Sequence, residues 1–124
     1  MAYEIPGFKF TLPASADLSA SQYCFVAQDT SGNVVIPSTA VDVLGVLCNK
    51  PTAAGQAAEI GTFGIYKVRS GAAITNPGTR VMSDSTGRAI TVTGATAKAV
   101  GIALQSSGAA NQVIPVLIIP SGVT

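Results

Sequence analysis

The chain has no histidine and no tryptophan, and only two cysteines in 124 residues. Without histidine, the usual general base at neutral pH and the usual metal ligand are both missing. Cys24 and Cys48 alone cannot complete a four-ligand site, so no metal centre is expected. Charge is also scarce: 10% of residues are charged, against the ~25% common in soluble domains. The carboxylates Glu4, Asp17, Asp29, Asp42, Glu59 and Asp84 stand apart, leaving no local pair for acid–base work. No GxSxG occurs, and neither GTFG nor SSGAAN is followed by the Lys-Ser/Thr of a phosphate loop. The sequence therefore predicts a protein that is not an enzyme and needs no cofactor.

Two kinds of partner lose support in the same way. The basic residues are scattered, with no stripe interleaved with aromatics, so nucleic acid is not expected. Apolar runs fall far short of the ~20 residues of a membrane helix. The opening MAYEIPGFKF has neither the basic flank nor the apolar core of a signal peptide. The expectation is no membrane, no export, synthesis in a cytoplasm, and two free, buried thiols.

What the chain does have is apolar content, 48% of residues. That excludes disorder, which needs high charge and low hydrophobicity. The length suits one domain. So few charges leave much semi-apolar surface, which points to contact with partners and to a homo-oligomer.

The chain is organised around Tyr23–Asn49, an apolar strand, a Gly turn, a short strand and a third apolar strand centred on Gly45. The same order returns over Arg80–Gln105. The turns DTSGN (Asp29–Asn33) and DSTGR (Asp84–Arg88) match, with Asp29 and Asp84 placed to cap backbone N–H groups. Gly45 and Gly101 lie 56 positions apart (101 − 45). Two copies are too few for a solenoid, but they suit a body in which each copy supplies half the wall.

Short strands with Gly turns are read at Phe8–Leu12, Tyr23–Gln28, Val34–Ile36, Val43–Asn49, Ala57–Ile60, Gly64–Arg69, Thr79–Ser83, Ala89–Thr93, Ala99–Gln105 and Gln112–Ile119. Pro115 in the last assigns it to an edge or a bulge. Ala53–Ile60 and Ala95–Ala103 are alanine-rich and leave room for a turn of helix. The fold class is all-β: a small barrel or sandwich built from two repeated strand–turn–strand units. The division is an extended N-terminal arm over 1–15 and a single β domain over 16–124, with repeats near 22–70 and 78–120. Apolar teeth on the arm need burial, either in the chain's own sheet or at a neighbour's edge.

Four pieces in order carry a family resemblance: ADLSASQYCFVAQDTSGNV (Ala16–Val34), VLGVLCNKPTAAGQAAEI (Val43–Ile60), GIYKVRSGAAITNPGTRVMSDSTGRA (Gly64–Ala89) and AVGIALQSSGAANQVIPVLI (Ala99–Ile118). The set resembles the small capsid cement, or decoration, proteins of tailed bacteriophages. The resemblance implies a structural virion protein on the outer capsid surface that bridges neighbouring major capsid subunits and stabilises the shell. It also implies self-association, as a trimer before a dimer. The arm residues Tyr3, Ile5, Phe8, Phe10 and Leu12 are candidate partner contacts, since aromatic anchors dominate interfaces. Lys67 and Arg69, which share a strand face, are a second candidate set; a solvated strand face is their plainer reading. The competing functions are a carbohydrate-binding or adhesion module, disfavoured by 6% aromatics without tryptophan, and a head–tail or tail-tube subunit.

Overall fold

The computed structural model describes residues 2–37, 43–94 and 98–119. Asp42, the 95–97 part of the second alanine-rich stretch and the 120–124 tail lie outside the described residues. Strands follow in chain order as β1 (Phe8–Pro13), β2 (Phe25–Gln28), β3 (Val34–Val35), β4 (Gly45–Leu47), β5 (Ala57–Thr62), β6 (Ile65–Arg69), β7 (Arg80–Ser83), β8 (Ala89–Thr91), β9 (Ala99–Ala103) and β10 (Val113–Ile118). Every strand read from the pattern is present, with its ends shifted by a residue or two. The helical turn among the described residues is a 3-10 turn at Ser19–Ser21, where Asp17 Oδ1 accepts from the Ser19 N–H at 2.9 Å. Within the alanine-rich stretches, Ala53–Gln56 is a turn in which Gln56 N–H donates to the Ala53 carbonyl at 3.3 Å, and Ala57–Thr62 and Ala99–Ala103 are strands. Ladder partners on both sides outweigh alanine's helical preference there.

The strands form two five-stranded antiparallel sheets, ordered β1-β5-β4-β2-β3 and β6-β10-β9-β7-β8. The second order is the first with every strand advanced by five. Among the described residues neither sheet closes into a barrel, and the architecture is a sandwich. The register repeats as well: Phe10 faces Ile60 in the first sheet, and Tyr66 faces Val116 in the second, each shifted by 56 (66 − 10 and 116 − 60). So do the irregular contacts. A parallel bridge joins Ala14 to Val34, and its counterpart joins Ser70 to Ala89. Ala14 N–H donates to the Gln56 carbonyl, and Ser70 N–H to that of Gln112, both at 2.8 Å. The echo seen in the sequence thus extends to β1, the counterpart of β6. The arm's strand β1 joins the chain's own sheet, where Phe10 and Leu12 pack, while Tyr3, Ile5 and Phe8 stay exposed.

β2 and β4 explain the two apolar runs at the ends of Tyr23–Asn49, CFVA (Cys24–Ala27) and VLGVLC (Val43–Cys48). Phe25 and Val46 join the second sheet's core, beside Tyr66, Val81, Val100, Val116 and Ile118. Their neighbours Val26 and Leu47 point the other way, into the first sheet's own cluster with Val34, Ala58 and Ile60. A strand buried on both faces has no polar alternation to show. Lateral contact is close at the two strand glycines. A Cβ on Gly45 would lie 2.2 Å from the Gly61 carbonyl oxygen, and one on Gly101 would lie 2.0 Å from that of Leu117.

The repeated turns work alike. Asp29 Oδ1 accepts from the N–H groups of Ser31 and Asn33, and Asp84 Oδ1 from those of Thr86 and Arg88, all at 2.9 Å. Burial pushes the Asp84 carboxyl up, but these donors and the Arg88 guanidinium at 3.2 Å outweigh it, and the group sits below its ordinary range. Pro115 corrects the edge-or-bulge expectation, since β10 lies inside its sheet. Its missing N–H falls on the β9 side, past the end of β9 at Ala103, and its carbonyl still accepts from Leu104 N–H at 3.0 Å. The equivalent Glu59 needs the Asn49 side chain to accept its N–H, at 2.9 Å. Proline removes that requirement.

One buried group breaks the symmetry at a cost. Thr62 is 4% exposed, and its hydroxyl has no hydrogen-bond partner among the described residues. Its counterpart in β10 is the fully buried Ile118. Thr62→Val is expected to stabilise the protein by about 1 kcal/mol, because an unsatisfied buried hydroxyl carries a desolvation penalty. A rise in the urea midpoint at unchanged slope is the readout; a fall would mean that the hydroxyl is satisfied.

Candidate interaction surface

The surface starts from two glycines. A Cβ on Gly7 would sit 1.8 Å from the Phe63 carbonyl oxygen, and one on Gly64 would sit 2.3 Å from Gly7 N. Only bare backbone lets residues 5–8 lie this tightly across the β5–β6 turn. Ile5 then exchanges two backbone hydrogen bonds with Ile65, each 2.9 Å. Tyr66, fully buried, fastens the crossing from below: its hydroxyl accepts from Gly7 N–H at 3.1 Å and donates to the Phe8 carbonyl at 3.0 Å. The N-terminal segment is therefore held to both sheets, through Ile65 in one and through the β1–β5 ladder in the other.

Apolar side chains stand exposed on and beside this crossing. Tyr3, Ile5, Phe8 and Phe63 are 42%, 61%, 59% and 62% exposed. Phe63 adopts φ 52, a left-handed conformation unfavourable for a residue with a bulky side chain. A bulky ring held outward on a strained turn is a feature more often found at functional sites than in inert loops. Phe63 lies in GTFG, outside any alternating run, and is not among the candidates expected from the sequence. The signal was there: an aromatic between two glycines, where a loop would ordinarily carry a small polar residue.

The seven sequence candidates separate. Tyr3, Ile5 and Phe8 lie on this surface. Phe10 and Leu12, on the same strand, are half-buried and pack against the first sheet's core; the Phe8 and Phe10 rings are 6.0 Å apart. Lys67 and Arg69 are half-buried on β6, with Tyr66 and Val68 facing inward. The Lys67 ammonium sits 5.9 Å over the Tyr23 ring, and the Arg69 N–H donates to the Tyr23 carbonyl at 2.8 Å. Both lie on the seam between the halves. Among the described residues no cluster of three His, Cys, Asp or Glu side chains offers a metal site. Both cysteines are free thiols. Burial pushes the Cys48 thiol up to about 11 and raises Cys24 as well, so neither is a thiolate at neutral pH.

The fold is an all-β sandwich of two like halves, with apolar side chains exposed beside the β5–β6 turn. A model of the phage cement protein family matches residues 6–118, and the chain belongs to that family. It is a structural protein of the phage capsid. Among solved structures, the chain is similar to the N base of the head fiber gp8.5 of bacteriophage phi29, with TM-score 0.67 and 15% identity, over 94% of this chain and 96% of that one. At that identity the likeness speaks for the fold. No curated protein matches.

Proposed function

We propose that the protein binds the outer surface of the assembled phage capsid and bridges neighbouring major capsid subunits. The observation that carries this reading is the exposure of Tyr3, Ile5, Phe8 and Phe63 on and beside a backbone crossing that leaves no room for a Cβ at Gly7 or Gly64. A preformed apolar anchor loses little entropy on docking. A protein that binds only the assembled lattice stabilises that state by mass action, and repetition over many sites makes modest contacts sufficient. Self-association, as a trimer before a dimer, belongs to the same proposal, and light scattering of the purified protein measures it. The decisive experiment mixes purified protein with undecorated heads and sediments them. Saturable co-sedimentation, with heads then surviving higher temperature, is expected. Absence of binding to heads, with the protein folded, overturns the reading.

A further inference from the structure

The two sheets present four edges: β1 and β3, β6 and β8. An open edge offers unpaired N–H and C=O groups, and proteins commonly cover theirs. β3 and β8 span two and three residues. Each is closed by the segment that follows the first strand of its half: Ser15 N–H donates to the Val34 carbonyl at 3.0 Å, and Gly71 N–H to that of Ala89 at 2.7 Å. β6 is covered along its length. Ile65 pairs with Ile5, Lys67 N–H donates to Glu4 Oε2 at 3.3 Å, and Arg69 N–H donates to the Tyr23 carbonyl at 2.8 Å.

β1 differs from its counterpart. Glu59 turns its backbone toward β4, accepting from Cys48 N–H at 2.8 Å and donating to Asn49 Oδ1 at 2.9 Å. Alternation along an antiparallel strand then turns Ala58, Ile60 and Thr62 toward β1. Their partners Leu12, Phe10 and Phe8 direct their N–H and C=O groups to β5. Lys9 and Thr11 direct theirs outward, and among the described residues no group pairs with them. They are the counterparts of Ile65 and Lys67, whose outward groups are covered. Pro13, next in that row, has no N–H to expose. The row is therefore two residues long, framed by a proline and by the exposed Phe8.

We infer that the outer edge of β1 is an acceptor for an extended segment of the major capsid subunit, which adds as an antiparallel strand at Lys9 and Thr11 in the way Ile5 adds to β6. This rests on the capsid-binding reading and names its mode of recognition. Main-chain pairing supplies the bonds, and side chains beside it set the choice. Edge-to-edge pairing with a second copy of the chain would rest on this two-residue row alone, a small contact for a stable interface. A capsid segment is held further, because β1 begins at Phe8, inside the apolar surface of Tyr3, Ile5 and Phe63. One partner covers both without a break.

Thr11→Pro tests this. It deletes one outward N–H and blocks the edge, while the inner β1–β5 bonds remain; proline is tolerated at such edge positions. The expected result is a melting temperature near wild type and at least a tenfold loss of binding to undecorated heads. Amide exchange of the wild-type protein gives a second readout that needs no variant: the Lys9 and Thr11 amides should slow on binding to heads. Unchanged head binding by Thr11→Pro overturns the edge proposal and leaves the capsid reading standing, as does an absence of slowing at those amides. Should Thr11→Pro fail to fold, the exchange result decides. If sedimentation shows that Thr11→Pro dissociates a wild-type oligomer but still binds heads, the occupant is a second copy and the proposal is wrong. If the wild type itself does not bind heads, the capsid reading falls and takes this one with it.

Discussion

Gly101→Ala is expected to destabilise the protein by roughly 3 kcal/mol or more, a large part of the ~5–15 kcal/mol that holds a domain of this kind together. The added methyl would lie 2.0 Å from the Leu117 carbonyl oxygen. That oxygen belongs to β10, which is paired on both sides and cannot retreat without breaking a ladder. Gly45→Ala should cost a similar amount for the same reason, meeting the Gly61 oxygen at 2.2 Å. Gly94 supplies the contrast. Its φ is +86 with nothing among the described residues within 4 Å of an added Cβ, so Gly94→Ala is expected to carry only the backbone penalty of about 1–2 kcal/mol. Urea unfolding of the three variants compares them directly. Equal costs at Gly94 and Gly101 would remove the close lateral contact as the reason for the repeated glycine.

Phe63→Gly is expected to lose capsid binding by about 30-fold, a hot-spot loss of about 2 kcal/mol, with stability within about 1 kcal/mol of wild type. The ring is 62% exposed, so little burial is lost, and glycine accepts the left-handed backbone at φ 52 without strain. A residue that served only the fold would show the reverse: lower stability and unchanged binding. Phe10→Ala provides that reverse case, since its half-buried side chain packs on the first sheet's core. A Phe63→Gly protein that binds heads as tightly as wild type would falsify the placement of the contact surface, though not the capsid reading.

The arm candidates show how far a one-dimensional pattern reaches. Phe8, Phe10 and Leu12 alternate with polar residues, which fixed a strand with one apolar face. That face buries Phe10 and Leu12 and leaves Phe8 outside, because the strand runs past the edge of the core toward the β5–β6 turn. Alternation says which residues share a side, not where along the strand the core ends. Phe63 was missed because it lies outside any alternating run. It joins Ile5 and Phe8 only through Gly7 and Gly64, across 56 residues of sequence (63 − 7).

The sequence by itself determined the strands, the turns that join them and the fact of an internal copy. Those depend on local alternation, on glycine and aspartate at the turns, and on spacing, all of which can be read along the chain. Only the tertiary structure decided that β1 is the counterpart of β6 in the duplication, that Pro115 sits inside a sheet, and that among the described residues one strand edge is bare while its twin is covered. Such outcomes depend on which distant backbone groups meet, and nearly every residue carries the same backbone N–H and C=O.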